Sequence, residues 1–573
     1  MISQNKLLHT YIMTTNKTNI SSLVEICAKK GITKVVLSPG SRNSPLAIAF
    51  NRHQKIQCYV IVDERAAAFF ALGMAQQAKQ AVAIACTSGS AALNYAPAIV
   101  EAFYQRIPLV VLTADRPIEW INQGAGQTIQ QRDIFKNYIL KSYELTQEAK
   151  PKTEGIWFND RQVNEAINLA HFPKKGPVHI NIPLREPLYD LVEKTKHIPK
   201  IQELIEVESI LSKTIFKKLK TTWEGSRKKL ILCGLMEGNE TLNAVLEKLD
   251  IDPSVTILTE TTANLWSEKF NPCIDRLITT IEEKEEKKFA PEILVTLGGA
   301  IISKKIKALF RRLQPKEHWH FDTAGEEMDT YQSLTKTIKT NPVYFFEKIN
   351  KEGSLVKSDF QKIWNDRNSS TRKRHNQFLK KVRFSDFKAY EIILKNIPVG
   401  SNFQMGNSAG VRYVQLFDQR KDLSYNSNRG TSGIDGSTST SVGAALASGK
   451  PTTLICGDLS FFYDVNGLWN PYLPSNLRII IINNSGGGIF RIIPGPSTSD
   501  ELDEFFEVTQ KRTAQPIAKM YNLSYQKADS VMSLEKALLK FYNKGKRAKI
   551  LEVFTPRKSN DKILESYFEF LKK

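Results

Sequence analysis

Short β-branched apolar runs, each ending in small or polar residues, recur along the whole chain with helical stretches between them. KVVLSPGS, IQCYVIVDE, AVAIACTSG and IPLVVLTAD carry the pattern early, and the helical RAAAFFALGMAQQA separates two of them. A strand that needs a helix before the next strand is a βαβ unit, and such units build a parallel sheet wound on both faces. The rhythm returns twice, in KLILCGLM, VTILTE and EILVTLGGA, then in TTLICGDLS, LRIIIINNSGG and AKILEVFTP. The fold class expected is α/β: three doubly wound parallel-sheet domains, at about 1–190, 200–350 and 380–573. Pro- and Lys-rich stretches near 183–205 and 340–380 separate them. A length of 573 residues accommodates three such domains at roughly 150 residues each and rules out a single small binding module. Ligands of such sheets bind beyond the carboxyl ends of the strands, so the polar residues closing each run are the candidate site residues.

Composition narrows the class. Hydrophobic residues at 41% and charged residues at 24% are ordinary for a globular chain and speak against bulk disorder. No apolar run approaches the ~18 residues of a membrane span. The N-terminal MISQNKLLHTYIMTTNKTNI has no apolar h-region and no small-residue cleavage site. It reads as neither signal nor anchor, with Met1 and Met13 both open as the start. Six scattered cysteines with no CxxC read as reduced core thiols of a cytoplasmic protein. The formal net charge of +21 permits an anionic partner. No helix-turn-helix, RRM or zinc-finger pattern accompanies it, so no nucleic acid is expected. The densest patch, Arg372-Lys373-Arg374-His375 with Lys380, Lys381 and Arg383, reads as a basic amphipathic helix with a solvated face. His318 and His320 share one face of EHWHF, but no third ligand is near, so a structural role is expected.

The most informative pair is Gly457-Asp458 at one strand end and Asn483-Asn484 at the next, 484 − 458 = 26 residues apart. One βαβ crossover puts Asp458 and Asn484 side by side at the carboxyl edge. A carboxylate, an amide oxygen and the Gly486 carbonyl are hard oxygen ligands, suited to Mg²⁺ or Mn²⁺ together with diphosphate oxygens and water. Upstream, Ser432-Gly433-Ile434-Asp435-Gly436-Ser437 leads into a helix, where small residues let backbone N–H groups approach phosphate.

Together, in this order and at this spacing, these motifs resemble those of the thiamine-diphosphate-dependent enzyme family. The resemblance implies a metal-held thiamine diphosphate (ThDP) bound by Ser432, Gly433, Ile434, Asp435, Gly457, Asp458, Asn484 and Gly486, with Asp458, Asn484 and Gly486 on the ion. Ile434 matches the aliphatic residue that props the cofactor in its bent shape. It also implies a distant carboxylate that hydrogen-bonds the aminopyrimidine and sets its tautomer. Glu64, at the end of IQCYVIV, fits that role; Asp63 beside it can serve as the ordinary helix-terminal acid. The cofactor of this family lies between the first domain of one subunit and the last domain of another, which implies a homodimer or dimer of dimers.

SPGSRNSPLA, TSGSAALNYAPA, LTADRP, GNSAGVR, SNRGTSGIDG, GDLSFFYD and NNSGGGIFRIIP resemble one subgroup of that family. It decarboxylates 2-oxoglutarate and adds the succinyl carbanion to isochorismate in menaquinone biosynthesis. Both substrates are dicarboxylates, and arginine suits a bidentate carboxylate clamp. The resemblance assigns Arg412 and Arg429, with Ser408, to 2-oxoglutarate. It assigns Ser41, Arg42, Arg116 and Gln127 to isochorismate, adds Lys304 from the middle domain, and walls the ring with Ile489, Phe490 and Ile493. A lone arginine is usually a surface ion pair, but four beside Gly/Ser/Asn-rich strand ends point the other way. Gly126 stands where the family often has Asn, so the amide side chain is missing there. The nearest alternative is another ThDP-dependent 2-oxoacid decarboxylase or carboligase. Decarboxylases acting on pyruvate usually carry an adjacent His-His pair, which this chain lacks.

Overall fold

The computed structural model describes residues 13–147, 149–193, 197–493 and 495–573; the first twelve residues of the N-terminal stretch lie outside them. In chain order the strands are β1 (Thr14–Thr15), β2 (Lys34–Leu37), β3 (Gln57–Val60), β4 (Val82–Cys86), β5 (Leu109–Asp115), β6 (Ser142–Glu144), β7 (Val178–Pro183) and β8 (Leu191–Val192). The middle block holds β9 (Lys229–Cys233), β10 (Val255–Thr259), β11 (Ile293–Leu297), β12 (Glu317–Phe321) and β13 (Lys336–Ile338). The last block holds β14 (Asn402–Met405), β15 (Ser424–Asn426), β16 (Thr452–Gly457), β17 (Leu477–Asn483), β18 (Ser524–Ala528) and β19 (Lys549–Phe554). Three parallel sheets result, ordered β3-β2-β4-β5-β7-β6, β10-β9-β11-β12-β13 and β15-β14-β16-β17-β19-β18, beside a small β1-β8 ribbon. The inner strands VAIAC, LVVLTAD, KLILC and LRIIIIN are buried along their whole length. That is why they read as continuous apolar runs rather than alternating ones.

The chain divides into two compact units. The first is built from residues up to Glu206 with Thr438–Ser448 and Asn466–Leu473. In it the helix Glu64–Ala78 lies against the helix Ser437–Ser448 at backbone distance. A Cβ on Gly73 would stand 2.0 Å from the Thr440 carbonyl oxygen, and one on Gly443 2.0 Å from that of Phe70. Only glycine permits that approach.

The second unit comprises Val207–Ser437, Gly449–Val465 and Pro474–Lys573, and so holds both the middle and the last sheet. The 340–380 stretch, read from sequence as lying between the last two blocks, holds two helices, Pro342–Glu352 and Phe360–Leu379. Pro342 starts the first, where its missing N–H costs nothing, and the Asn341 side chain caps Val343. The basic helix ends at Leu379, so Lys380, Lys381 and Arg383 lie past it. Its charges serve the fold: Arg372 meets Asp418 at 3.0 Å, Arg374 donates to the Leu571 carbonyl, and buried His375 meets the Tyr567 hydroxyl at 2.8 Å. His318 and His320 both meet the Thr296 hydroxyl, at 3.1 and 2.9 Å. None of the six cysteines is in a disulfide, and five of them are buried. Among the described residues no helix is long and apolar enough to cross a membrane.

Candidate active site

At the carboxyl edge of the last sheet, β16 and β17 pair in parallel with Gly457 opposite Ile482. The chain then turns so that Asp458 opens a short helix, Asp458–Tyr463, and Asn484 opens the loop after β17. Asp458 is 1% exposed. Its carboxylate accepts from Gln510 Nε2 at 2.5 Å and from the backbone of Leu459 and Gly486. Burial still pushes its carboxyl up to about 6. A site that withholds water from a carboxylate gains by placing a cation against it. Asn484 donates Nδ2 to Asp386 Oδ2 at 3.0 Å, which leaves its amide oxygen as the atom that can meet an ion. Asp386 is itself fixed by the Thr555 hydroxyl at 2.5 Å. Gly486 takes φ +148, and a Cβ there would stand 2.6 Å from the Glu507 carbonyl oxygen. The donor set therefore fits a hard divalent ion. It contains no cluster of three His, Cys, Asp or Glu among the described residues, because two of its three members are an amide and a backbone carbonyl.

Beside this edge runs the segment 427–437. Asn407, at the end of β14, donates Nδ2 to the carbonyls of Asn428 at 2.5 Å and Gly433 at 2.6 Å, and accepts from Arg429 Nη1 at 3.2 Å. One side chain thus fixes both the SNRG and the SGID turns. Ser432 sits at φ +70, and a Cβ on Gly433 would meet the Asp435 carboxylate at 2.1 Å. Ser460 holds the Ile434 carbonyl at 2.6 Å, while the Ile434 side chain is 37% exposed. An isoleucine presented to solvent on a pinned backbone is not a core residue. It fits the support of a bound apolar ring.

Arg429 is 8% exposed. Arg412 is half-buried and donates to the Ser408 carbonyl, with Ser408 at φ +69 opening its helix. Of the three neighbouring lysines, Lys304 is the exposed one. Lys305 is turned toward Thr279 and the Phe568 ring, and Lys307 is half-buried near Glu260. Ile489 and Phe490 lie on a 3-10 turn, Gly488–Arg491, and the Ile493 N–H closes on the Ile489 carbonyl at 3.1 Å. The loop beyond returns through Gln510 N–H to Ser485 O at 3.1 Å and Gly487 N–H to Glu507 O at 2.6 Å.

In the first unit, Asp63 caps the helix Glu64–Ala78 by accepting from Ala66 N–H at 2.9 Å, and takes Asn466 Nδ2 at 2.7 Å. Glu64, one residue on, is free of capping duty; its Oε2 lies 3.5 Å from Asn94 Nδ2. Arg42, 4% exposed, donates Nη1 to the Leu184 carbonyl at 2.9 Å and meets Glu186 at 3.0 Å. Burial and the neighbouring charge of Arg116 lower its pKa. Glu186 balances part of that charge. Ser41 is exposed on the turn before Arg42; a Cβ on the adjacent Gly40 would stand 2.3 Å from Thr87 Cβ. Arg116 donates Nη2 to the Gly126 carbonyl at 3.4 Å. Exposed Gln127, at φ +54, packs its backbone over Gly89.

Asp386, Gln510 and Asn407 take part in these arrangements and were not singled out from sequence. Asn407 lies in GNSAGVR and was within reach. Asp386 and Gln510 stand 98 and 52 residues from their partners, with no local motif to mark them.

Three parallel α/β sheets, one carrying an Asp/Asn/carbonyl donor set at its edge, define the class of thiamine-dependent enzymes. Consistent with that, residues 18–134 match the profile of the thiamine pyrophosphate enzyme N-terminal TPP binding domain. The chain is 46% identical to the 2-succinyl-5-enolpyruvyl-6-hydroxy-3-cyclohexene-1-carboxylate synthase of Flavobacterium johnsoniae, over 96% of this chain and 98% of that one. It is 46% identical to the same-named protein of Christiangramia forsetii at the same coverage, and 38% identical to that of Porphyromonas gingivalis over 97% of both. The chain belongs to the family of 2-succinyl-5-enolpyruvyl-6-hydroxy-3-cyclohexene-1-carboxylate synthases.

Proposed function

We propose that the protein decarboxylates 2-oxoglutarate and joins the four-carbon remainder to isochorismate by 1,4-addition, as a transferase of menaquinone biosynthesis. The observation that carries this reading is the edge where Asp458 and the oxygen of Asn484 stand ready for a divalent ion, within a chain 46% identical to named synthases. When bound, ThDP supplies the stabilised carbanion that this chemistry needs. Asp458, Asn484 and Gly486 would hold Mg²⁺ or Mn²⁺ and through it the diphosphate, Ser432 to Asp435 and Gly457 would line it, and Ile434 would support the rings. Glu64 would accept the hydrogen bond that selects the reactive tautomer.

Arg412 and Arg429, with Ser408, would bind 2-oxoglutarate. Ser41, Arg42, Arg116, Gln127 and Lys304 would bind isochorismate, with Ile489, Phe490 and Ile493 excluding water from its ring. The domains at about 1–190, 200–350 and 380–573 are read as pyrimidine-binding, central and diphosphate-binding. The working form is read as a homodimer or a dimer of dimers in the cytoplasm; exposed Val60, Val62 and Leu93 near Glu64 support a partner surface there.

The test mixes purified protein with ThDP, Mg²⁺, 2-oxoglutarate and isochorismate. Isochorismate loss is followed by ultraviolet absorbance and the product identified by mass, with Glu64→Gln alongside. Loss that needs every component, and falls ~10²–10⁴-fold in the variant while ThDP still binds, is the expected result. CO₂ release without isochorismate consumption would move the assignment to another ThDP-dependent decarboxylase.

A further inference from the structure

Arg116 and Gln127 belong to one long connection of the first unit, which leaves β5 at Asp115 and runs to Gln131 over a single 3-10 turn, Ile118–Trp120. A surface connection of about 15 residues keeps one shape when its ends are tied together. Gln131 ties them. Its side chain is fully buried. Nε2 donates back to the Ala114 carbonyl at 3.1 Å and to Asn181 Oδ1 at 3.0 Å. Oε1 accepts the Gly89 N–H at 2.8 Å.

The neighbours fix which way that amide points. Thr113 and Asn181 stand opposite each other in the register of β5 and β7. Asn181 Oδ1 accepts from the Thr113 hydroxyl at 2.8 Å as well as from Gln131, so both of its lone pairs are used. Its Nδ2 donates to Asp115 Oδ2 at 2.9 Å, and Asp115 Oδ1 accepts the Arg116 N–H at 2.7 Å. Gln131 therefore meets acceptors on its nitrogen side and a donor on its oxygen side, a demand that an amide answers. Both ends of the connection hang from this one buried network, and a network satisfied in this way is rigid.

Gly89 carries the effect to Gln127. It sits at φ +85, and a Cβ there would stand 3.1 Å from Gln127 Cα. The Gln127 backbone thus rests on the residue whose N–H Gln131 holds. Gln131 acts on Gln127 twice, along the chain from four residues away and from beneath through Gly89.

We propose that Gln131 is a positioning residue for isochorismate: it closes the 116–130 loop at its base and so sets Gln127 for the substrate. The inference rests on the reading of Gln127 as an isochorismate contact.

The test uses the holoenzyme and varies each substrate at saturation of the other. Gln131→Met keeps the shape and removes all three hydrogen bonds. It is expected to raise KM for isochorismate about tenfold, with KM for 2-oxoglutarate unchanged. In a Gln127→Ala background the same change is expected to add less than about twofold, because the residue it acts through is gone. Amide hydrogen exchange over residues 117–130, without substrate, is expected to quicken in Gln131→Met. Gln131→Glu, whose buried carboxyl stays protonated, keeps the Gly89 bond and one donated bond. It is expected to raise KM for isochorismate by less, and it serves if Gln131→Met does not fold. An equal rise in both KM values, an unmoved KM for isochorismate in both variants, unchanged exchange, or an equal increment in the Gln127→Ala background would overturn the inference. An unmoved KM in Gln127→Ala alone would overturn the contact reading first, and this inference with it.

Discussion

The second unit offers two carboxyl edges on the same kind of sheet. In both, the first strand of the block lies between its second and third, β9 between β10 and β11, and β14 between β15 and β16. Strand order reverses there, and ligands of such sheets enter at that point. At the middle edge the crevice is sewn shut by backbone: Gly299 N–H to Leu235 O at 2.7 Å, Leu235 N–H to Ala300 O at 3.2 Å, and Gly234 N–H to Leu297 O at 2.9 Å. At the last edge, side chains occupy the turn instead: Asn407, Asp458 and, one strand over, Asn484. One topology thus gives a brace or a binding edge. What differs is whether the residues after the strands satisfy each other's backbone or hold side-chain oxygens and donors in reserve.

The contrast can be broken from either side. The largest effect is expected at the last edge. Asp386→Ala frees the Asn484 amide to rotate and should weaken Mg²⁺-dependent ThDP binding about 10–100-fold; a titration followed by protein fluorescence measures it. At the middle edge, Gly298 sits at φ +76, and a Cβ there would stand 2.8 Å from the Leu235 carbonyl oxygen. Gly298→Ala should cost about 1–3 kcal/mol in a denaturant melt and leave ThDP affinity where it was.

The third expectation concerns pH. Burial pushes the Glu260 carboxyl from 4.5 up to about 7. The folded chain therefore holds this proton more tightly than the unfolded one. The resulting stability is complete below about pH 4.5 and is lost as pH rises through about 7, by at most roughly 3 kcal/mol. Glu260→Gln stays neutral, so its melting temperature should fall less between pH 5 and 7 than that of the parent. An unchanged difference would mean that the Ile302 and Ser303 amides keep Glu260 ionised.

Asp458 and Asn484 were legible because one crossover fixes their neighbourhood: parallel pairing sets Gly457 opposite Ile482, and nothing farther away is needed. The three sheets were legible for a related reason, since strands buried on both faces cannot hide as alternating patterns. Ile434 was not decided by sequence, where core and site roles look alike; the structure places it outside the core, 37% exposed on a backbone held by Ser460. The helices within 340–380 were not read from sequence, because a proline such as Pro342 is common in linkers and also begins helices. Asp386 stayed hidden because its hold on Asn484 comes from packing between segments far apart in the chain.

The most direct measurement is calorimetric titration of ThDP into the parent protein and into Asp458→Ala, each with and without Mg²⁺. The account predicts saturable binding by the parent only when the ion is present, and none by the variant in either condition. Equal binding by both proteins, or binding by the parent that ignores the ion, would contradict the assignment of the last sheet's edge as the site that holds the cofactor.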